Sequence, residues 1–482
     1  MELMIGEIDN AQKYGVGPFD IYILKYEKRY LPRIPYKYVS YLPVIRDIIK
    51  NTRVSEEVLE IENFTFDEVF SIIKGRVSKK ISSTVDEEEN EQISELITWE
   101  YMNLSRIAPL LLDSNIDEFF IDGPYSTIYL LHSKFGRLDT DISITPIEIN
   151  AIKTYLEVFK GREAIRVRGT LKSELISKRF HYRVNYDMDP ICVDGPSISF
   201  RNLKRGRFTL VELIKNKTIT IDAAAFLILT SWLKGNITII GEVGSGKTTL
   251  LNCIDIFLPS SWRKIYIEEA IESVPQRDLG KHQVRYRSEI FTNIAPLSRL
   301  WQVTFTLHRS PDYLILGEIL TDDDVRTWLY SLTCGLSGIQ TMHSNDIYDF
   351  IRRLILYHKI PVTGLETLDF IVLMRKLERR ELIRVVYGIY ELRFNDDNNI
   401  DVVPIFEYSR NIKSLQIKTP FNKSRVISKL LSKNLLDEDW FYVAYDAIKR
   451  KLTLLLDKRN NLPSLVNVMN TLYEELFRGK LR

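Results

Sequence analysis

Apolar residues in the middle of the chain occur in short runs of three or four, separated by longer amphipathic stretches. Such runs predict buried strands and such stretches predict helices, an alternation typical of a parallel sheet. Within residues 216–345 the predicted strands are 237–240, 265–267, 313–316 and 339–342. Three later runs predict further strands at 370–374, 383–390 and 402–408. We therefore expect an α/β domain over residues 216–415.

The pattern is different before residue 216, where strand-like and helix-like segments do not alternate regularly. Helices are predicted over 56–77, 104–112 and 147–159, and strands over 118–121, 127–132, 181–184 and 197–201. The acidic stretch 82–92 has no apolar periodicity, which predicts a linker. We expect an N-terminal extension or small domain over 1–84 and an α+β domain over 85–215. The tail, 416–482, is predicted to be a helical subdomain with a break at 460–463.

Composition excludes several classes of protein. The 66 Lys and Arg residues nearly balance the 64 Asp and Glu residues, which argues against a nucleic-acid partner. The three cysteines, Cys192, Cys253 and Cys334, are far apart, which favours a reducing compartment and excludes a Cys-based zinc site. The longest apolar run, 223–233, is too short to span a bilayer, and no signal-peptide pattern is present. We expect a cytoplasmic protein that reaches the membrane only through a partner.

The strongest chemical signal is the segment 241–248, Gly-Glu-Val-Gly-Ser-Gly-Lys-Thr, which fits the P-loop pattern G-x-x-x-x-G-K-[ST]. It lies between a predicted strand and a predicted helix, as the pattern requires. The glycines let backbone N–H groups turn toward phosphate, Lys247 supplies positive charge, and the Thr248 hydroxyl is a ligand for Mg²⁺. The predicted ATP-binding residues are Gly241, Glu242, Val243, Gly244, Ser245, Gly246, Lys247, Thr248 and Thr249. The expected fold is therefore a P-loop (RecA-like) parallel-sheet domain, preceded by an α+β domain and followed by a helical tail.

Polar side chains follow three other predicted strands. Glu268 and Glu269 end the second strand, Glu318 follows Gly317 at the end of the third, and His343 ends the fourth. The carboxyl ends of parallel strands meet where the nucleotide binds, so we expect these groups to lie near the P-loop. Glycine at 317 stands where many NTPases have aspartate, which leaves Glu318 as the acid of this strand.

Four motifs in order carry a resemblance to a known family. After the P-loop come an Asp box at 267–272, a Walker B segment at 311–318 and a His box at 335–343. Upstream, 109–118, the Asp-Gly-Pro at 122–124 and Ser-Phe-Arg at 199–201, shortly before Phe208 and Thr209, fit the same pattern. Over about residues 101–410 the chain resembles the secretion ATPases of type II secretion, type IV pili and archaella. The Asp-Gly-Pro and Phe-Thr elements are most similar to the archaeal branch.

The resemblance implies roles for these residues. Glu268 is expected to orient or deprotonate the attacking water. Thr248 is expected to bind Mg²⁺, and Glu318 is expected to act through the water shell of that ion. His343 is expected to sense the γ-phosphate. It also implies a homohexameric ring that docks on a polytopic membrane platform protein and powers filament assembly. An arginine from a neighbouring subunit would complete the site, and the candidates are Arg287, Arg201, Arg285 and Arg183.

Three departures from the family pattern leave alternatives open. Leu320 stands where an arginine is usual, Leu336 stands where a histidine is usual, and Ala270 follows the acid pair of the Asp box. The first two favour, as one alternative, a nucleotide-binding scaffold that does not hydrolyse ATP. The other alternative is a DNA-transfer ATPase of the same superfamily. The sequence does not distinguish pilus extension from archaellum rotation.

Overall fold

The computed structural model describes residues 11–41, 65–82, 85–158, 165–167, 169–188, 190–203, 208–289, 295–378, 382–395, 399–456 and 461–477. The chain separates into two compact units, Met1–Gly206 and Arg207–Arg482. Each unit is described by itself below.

The first unit is built on a ten-stranded mixed sheet. Its strands are β1 Gln12–Val16, β2 Phe19–Leu24, β3 Arg29–Arg33, β4 Ile116–Ile121, β5 Thr127–His132, β6 Gly136–Ser143, β7 Ile165–Val167, β8 Thr170–Ile176, β9 His181–Asp187 and β10 Ser197–Asn202. They lie in the order β1-β2-β3-β6-β5-β4-β10-β9-β8-β7. All neighbours are antiparallel except β3 and β6. The sheet thus includes three strands that precede the predicted α+β domain.

Helices pack on this sheet and correct one prediction. They are α1 Phe66–Ile81, α2 Glu87–Tyr101, α3 Ala108–Leu112 and α4 Pro146–Val158, with a 3₁₀ turn at Tyr36–Tyr41. The predicted linker at 82–92 is wrong from residue 87 onward, where α2 begins. Its acidic first turn is favoured by the helix dipole, and Ile93, Leu96 and Ile97 bury one face in the apolar core. The N-terminal part of the predicted helix 56–77 lies outside the described residues.

The second unit contains a nine-stranded sheet in the order β13-β12-β14-β15-β11-β16-β17-β18-β19. The strands are β11 Ile237–Gly241, β12 Arg263–Glu268, β13 His282–Arg287, β14 Tyr313–Ile319, β15 Gly338–His343, β16 Phe370–Glu378, β17 Leu382–Phe394, β18 Ile400–Ser409 and β19 Ser414–Ile417. From β13 to β16 all neighbours are parallel, and β16 to β19 form an antiparallel extension. The P-loop strand β11 therefore lies between the His-box strand β15 and β16.

Nine helices are described on this sheet. They are α5 Leu210–Lys215, α6 Ile221–Trp232, α7 Lys247–Asp255, α8 Arg299–Leu307, α9 Asp322–Thr333, α10 Ile347–Arg352 (followed by a π turn, Arg353–Tyr357), α11 Arg425–Lys433, α12 Glu438–Leu456 and α13 Leu462–Phe477. Short 3₁₀ turns lie at Arg277–Leu279, Ala295–Leu297, Val362–Thr367 and Phe421–Lys423. Helix α7, which starts at Lys247, is the P-loop helix.

The predicted fold class is confirmed: a parallel-sheet P-loop unit follows a mixed α and β unit, and the tail is helical. The four domain boundaries, 1–84, 85–215, 216–415 and 416–482, stay predictions. The two apolar cores each extend across a predicted boundary. The core of the first unit includes Phe19 and Phe70 from 1–84 together with Phe200 from 85–215. The main core of the second unit includes Phe226 from 216–415 together with Leu452 from 416–482.

Candidate active site

The P-loop closes tightly between β11 and α7. Gly246, directly before the helix, has a φ of 95°, a left-handed conformation that favours glycine. A methyl group on Gly241 would come within 2.6 Å of both the Met374 carbonyl oxygen and Ser245 Oγ, so only glycine fits there. The buried Ser245 hydroxyl has no hydrogen-bond partner within the described part of the chain. This tight backbone cradle with an unsatisfied hydroxyl fits a phosphate group.

The P-loop lysine is linked to the His box and to Walker B. Lys247 is buried, and its Nζ donates to the carbonyl oxygens of Gly241 and Glu242, 3.0 Å from each. It also lies 3.0 Å from His343 Nδ1, whose strand pairs with β11 so that Gly241 and His343 are in register. His343 Nε2 in turn contacts Glu318 Oε1. Because Nδ1 of His343 accepts a hydrogen bond from Lys247, the ring proton lies on Nε2. Nε2 therefore donates this proton to the Glu318 carboxylate.

Glu268 ends β12 in a very different environment. Only 4% of the residue is exposed, and its carboxylate accepts hydrogen bonds from the Glu272 and Ser273 N–H groups, at 3.2 and 3.0 Å. Its other oxygen accepts from Ser273 Oγ at 2.6 Å. Burial raises the pKa of Glu268 to about 7, and the hydrogen bonds from Ser273 partly oppose this shift. A fixed carboxylate with a pKa near neutrality is well suited to accept a proton from water.

Glycine at position 317 now has a structural reason. The pairing of β14 with β15 shifts register between Leu316 and Glu318, so Gly317 sits at a bulge. A methyl group there would approach Glu268 Cγ to 3.3 Å. The small residue therefore leaves room for the Glu268 side chain and lets Glu318 lie beside His343.

Arg299, at the start of α8, is a residue of this region that sequence reasoning missed. It is buried, its Nη1 donates to the Glu318 carbonyl oxygen at 2.8 Å, and it forms a 3.0 Å ion pair with Asp324. Burial lowers the pKa of Arg299, and the nearby carboxylates oppose that shift. Arg299 thus holds the backbone of the Walker B strand at Glu318 through this hydrogen bond. No spacing rule points to it, because it lies 19 positions before Glu318 in the chain.

The structure brings Lys247, Glu268, Glu318 and His343 to one edge of the second sheet, at the carboxyl ends of the adjacent strands β12, β14, β15 and β11. Thr248 and Thr249 occupy the first turn of α7. In the described residues, no group of three or more His, Cys, Asp and Glu side chains is arranged to hold a metal ion. Any Mg²⁺ here would thus depend on phosphate oxygens and Thr248 as well as on carboxylates.

The candidate arginines lie in two places. Arg287 on β13 lies opposite Glu268 on β12 in the register of the two strands. Arg285 donates to the Ser273 carbonyl oxygen at 3.3 Å. Both arginines are therefore next to the Asp box. Arg201 and Arg183 belong to the first unit, where they oppose each other on β10 and β9. Arg201 Nε lies 3.7 Å from Glu118. A role for any of them in a neighbouring subunit's site stays a prediction.

The two leucines that depart from the family pattern have different surroundings. Leu320 is 44% exposed, and its N–H donates to Asp324 at 3.1 Å. Leu336 packs against the apolar core that lies beside β14 and α9.

Comparison with protein families resolves the class of this site. Residues 168–379 match the family described as type II/IV secretion system protein. Over this segment, which is less than half of the chain, the protein is similar to type II/IV secretion system proteins. The matched segment contains the P-loop, the Asp box, Walker B and the His box. The predicted enzyme class, a P-loop ATPase, is confirmed by this match.

Individual relatives are distant. The uncharacterized protein MJ0900 of Methanocaldococcus jannaschii is 24% identical over 403 residues, which cover 80% of this chain and 69% of the relative. MJ0781 of the same organism is 26% identical over 265 residues, 51% of this chain but 35% of that protein. The conjugal transfer protein TrbB of Rhizobium radiobacter is 28% identical over 171 residues, 34% of this chain and half of TrbB.

Two solved structures illustrate how far the overall likeness extends. The pilus retraction motor PilT, bound to ADP, is 14% identical and aligns with a TM-score of 0.43 over 75% of this chain and 96% of PilT. The VirB11 ATPase of the Brucella suis type IV secretion system is 18% identical, with a TM-score of 0.31 over 60% of this chain and 92% of VirB11.

Proposed function

We propose that this chain hydrolyses Mg²⁺·ATP as a subunit of a homohexameric motor, which drives assembly of a type IV pilus-like filament or a secretion system at the cytoplasmic membrane. The observation that supports hydrolysis is the meeting of a formed P-loop with a buried, hydrogen-bonded carboxylate, Glu268, and with the pair Glu318 and His343. A hydrolysing site requires a carboxylate of this kind to position the attacking water, whereas nucleotide binding alone does not require it.

Phosphate binding requires the contacts of Lys247 to change. In the structure its ammonium group is held by two P-loop carbonyl oxygens and His343. When the β- and γ-phosphates enter the cradle, they replace these partners with stronger, charge-assisted ones. His343 is then released from Lys247. This exchange couples the P-loop to Walker B, because His343 also contacts Glu318.

Water activation is assigned to Glu268. The carboxylate is fixed by three hydrogen bonds from Glu272 and Ser273, so its orientation does not depend on the nucleotide. With a pKa of about 7, a substantial fraction is ionised at neutral pH and accepts a proton from the attacking water. Phosphoryl transfer itself needs mainly positioning and charge neutralisation, which the P-loop amides and Lys247 supply.

Thr248 and Glu318 are the residues that would hold Mg²⁺, Thr248 through its hydroxyl and Glu318 through water. An ion held there would supply positive charge next to the β- and γ-phosphates. Glu318 suits this role because 31% of its side chain is exposed, which leaves it accessible to the water shell of an ion.

Filament assembly, the hexamer and the membrane platform rest on the resemblance carried by the ordered motifs. No helix among the described residues combines the length and apolarity that a bilayer crossing requires. On the resemblance we propose that the protein is cytoplasmic and reaches the membrane through a polytopic platform protein. Membership of the archaeal branch is supported by the Asp-Gly-Pro and Phe-Thr elements. Arg287 or Arg201 of a neighbouring subunit would complete each site.

Steady-state phosphate release with Mg²⁺·ATP tests the enzymatic half of the proposal. The wild-type chain is expected to turn over once rings form, and Lys247→Ala is expected to remove both nucleotide binding and turnover. ATP binding without phosphate release by assembled wild-type rings would support the scaffold instead.

DNA transfer is a second candidate, favoured by the similarity to conjugal transfer protein TrbB. The near balance of 66 basic and 64 acidic residues gives no overall attraction to DNA. Binding of labelled single- and double-stranded DNA by the assembled protein, measured by anisotropy at two salt concentrations, separates the two functions. Salt-dependent binding that stimulates ATP turnover would favour DNA transfer.

A further inference from the structure

The loop that follows Glu268, residues 269–276, orients the candidate base, and we call it the Asp-box loop. The N–H groups of Glu272 and Ser273 and the Ser273 hydroxyl donate to the Glu268 carboxylate. The position of this carboxylate therefore depends on the path of the loop. A loop that moved away would leave Glu268 buried with fewer of the hydrogen bonds that hold it.

The P-loop helix α7 holds the Asp-box loop at two places. Asn252 Nδ2 donates to the Glu272 carbonyl oxygen at 2.9 Å. Glu272 is thus held by the helix through its C=O group, while its N–H group donates to Glu268. Asp255 is the last residue of α7, and its Oδ2 accepts from Gln276 Nε2. Both ends of this short part of the loop are therefore connected to the same helix.

The second connection belongs to a buried polar cluster formed by Asp255, Lys264, Tyr266 and Gln276, which are all fully buried. Lys264 Nζ lies 2.6 Å from Asp255 Oδ1 and donates to Gln276 Oε1 at 2.6 Å. The Tyr266 hydroxyl lies within 2.8 Å of both Asp255 carboxylate oxygens. Breaking a buried ion pair by removing one partner is strongly unfavourable. The cluster therefore fixes Gln276 and, with it, the end of the Asp-box loop.

Strand β13 supports the loop from another side. Gln283 Nε2 donates to the Val274 carbonyl oxygen at 2.9 Å, and Gln283 Oε1 accepts from the Gln276 N–H group at 3.0 Å. These contacts reach the end of the loop but not Glu272. The contact from Asn252 is therefore the one next to a donor of Glu268, and its loss should loosen the loop without releasing it completely.

We propose that Asn252 and Asp255 are positioning residues for the candidate base. They hold the Asp-box loop, through Glu272 and Gln276, so that its N–H groups point at the Glu268 carboxylate. This inference rests on the proposed function, in which Glu268 activates water, and extends it to the helix that follows the P-loop. Neither Asn252 nor Asp255 belongs to the four sequence motifs.

The same helix offers a matched control. Cys253 directly follows Asn252 in the chain and is buried, and its Sγ donates to the Phe208 carbonyl oxygen at 3.0 Å. Phe208 lies outside the Asp-box loop. Cys253→Ala therefore removes a side-chain contact of α7 that does not involve this loop. It measures the effect of weakening the helix in general.

Phosphate release and ATP binding by the full chain test the inference, with Asn252→Ala as the main variant. We expect kcat to fall by about 5- to 20-fold while the Kd for ATP stays within about twofold of the wild type. Cys253→Ala is expected to stay within about twofold of the wild type in both quantities. A fall in kcat at constant ATP affinity is the result that a misplaced base should give.

The pH profile of kcat/KM gives a second readout. Burial raises the pKa of Glu268, and the hydrogen bonds from Ser273 and Glu272 oppose that rise. Weaker hydrogen bonds in Asn252→Ala should therefore move the midpoint above the wild-type value. The other charged groups around Glu268 are unchanged in this variant; they are Glu272 on its own loop, Arg287 on β13 and Arg299 on α8.

Two further measurements separate positioning from general weakening of α7. Amide hydrogen exchange of segment 269–276 in the nucleotide-free chain should be faster in Asn252→Ala, but not in Cys253→Ala. Asp255→Asn should act in the same direction, because one of its two acceptor oxygens becomes a donor group. In the Glu268→Gln background, Asn252→Ala should change the residual kcat by less than about twofold, because its effect depends on that carboxylate.

Three results would overturn the inference: a wild-type kcat and pH midpoint in Asn252→Ala, an equal fall of kcat in Cys253→Ala, or the full fall of kcat in the Glu268→Gln background. If Asn252→Ala does not fold, Asn252→Ser gives the same test, because its shorter side chain ends before the Glu272 carbonyl oxygen. Wild-type rings that release no phosphate would contradict the proposed function itself. The exchange measurement would then still decide whether α7 holds the Asp-box loop.

Discussion

Two adjacent strands of the second unit, β12 and β14, deliver a glutamate to the same edge of the sheet, yet the two side chains have opposite surroundings. Glu268 is 4% exposed and accepts three hydrogen bonds from its own loop, whereas the Glu318 side chain is 31% exposed and contacts His343. Burial raises the pKa of Glu268 to about 7. The difference supports the proposal that the buried acid accepts the proton and that the open one contacts the water shell of Mg²⁺.

The largest expected effect comes from neutralising the buried acid. Glu268→Gln keeps the side-chain volume and one oxygen that accepts from the Glu272 and Ser273 N–H groups, while its NH₂ group donates to Ser273 Oγ instead of accepting from it. The variant therefore removes the proton acceptor with little change in packing. We expect kcat for phosphate release to fall by about 10²- to 10⁴-fold, with ATP affinity within about threefold of the wild type. Parallel measurement of ATP binding separates the two effects. A large loss of affinity with unchanged kcat would assign Glu268 to nucleotide binding.

Neutralising the open acid should have a smaller effect of a different kind. Glu318→Gln removes charge from the ion shell and weakens the contact with His343. We expect kcat to fall by about 10- to 100-fold and the Mg²⁺ concentration at half-maximal rate to rise. Titration of phosphate release with Mg²⁺ at saturating ATP measures both. An unchanged Mg²⁺ requirement would remove Glu318 from the ion shell.

Stability should respond in the opposite sense from activity. Because the pKa of Glu268 is raised to about 7 from its ordinary value, this residue's contribution to stability is greatest at low pH and is lost as pH rises through 7. Glutamine does not ionise, so Glu268→Gln should raise the free energy of unfolding by about 2 kcal/mol at pH 8 and by little at pH 4.5. Urea unfolding at the two pH values measures the difference.

Glu318→Gln is the matched control for stability. Its partly exposed pair with His343 should contribute little, so we expect a change within about 0.5 kcal/mol at either pH. Equal stabilisation by both Gln variants would contradict the contrast between a buried and an open acid.

The smallest effect is expected at the bulge between the two strands. A methyl group on Gly317 would lie 3.3 Å from Glu268 Cγ, which is a close van der Waals contact. Gly317→Ala should therefore shift the buried Glu268 side chain slightly but leave room for it. We expect kcat to fall a few-fold, with a loss of about 1 kcal/mol or less in the free energy of unfolding. A wild-type kcat in this variant would show that a small shift of the Glu268 side chain does not affect turnover.

Much of the second unit could be predicted from the sequence, because its central strands are buried on both faces and appear as continuous apolar runs. The missed strand β13, His-Gln-Val-Arg-Tyr-Arg, lies at the sheet edge, and its residues are exposed or half-buried. In the first unit, β8 alternates between buried and less buried positions, and a short alternation is easily taken for a loop. The acidic start of α2 was missed because its apolar face begins only at Ile93.

The candidate site likewise contains residues that the sequence predicts and residues that it does not predict. The P-loop, Glu268, Glu318 and His343 could be proposed from the sequence because each lies at the end of an apolar run with a known spacing. Arg299 could not, because only the folded chain brings it to the Walker B strand. A residue that acts across the fold leaves no local pattern in the sequence.

The pH dependence of kcat/KM for phosphate release, measured with Mg²⁺·ATP between pH 5.5 and 9, tests the assignment of Glu268 most directly, because this ratio reports groups of the nucleotide-free enzyme. A base must be deprotonated to act, so we predict that kcat/KM rises with pH around a midpoint of about 7. The rise should persist in Glu318→Gln and disappear from the residual activity of Glu268→Gln. An unchanged rise in Glu268→Gln would contradict the assignment.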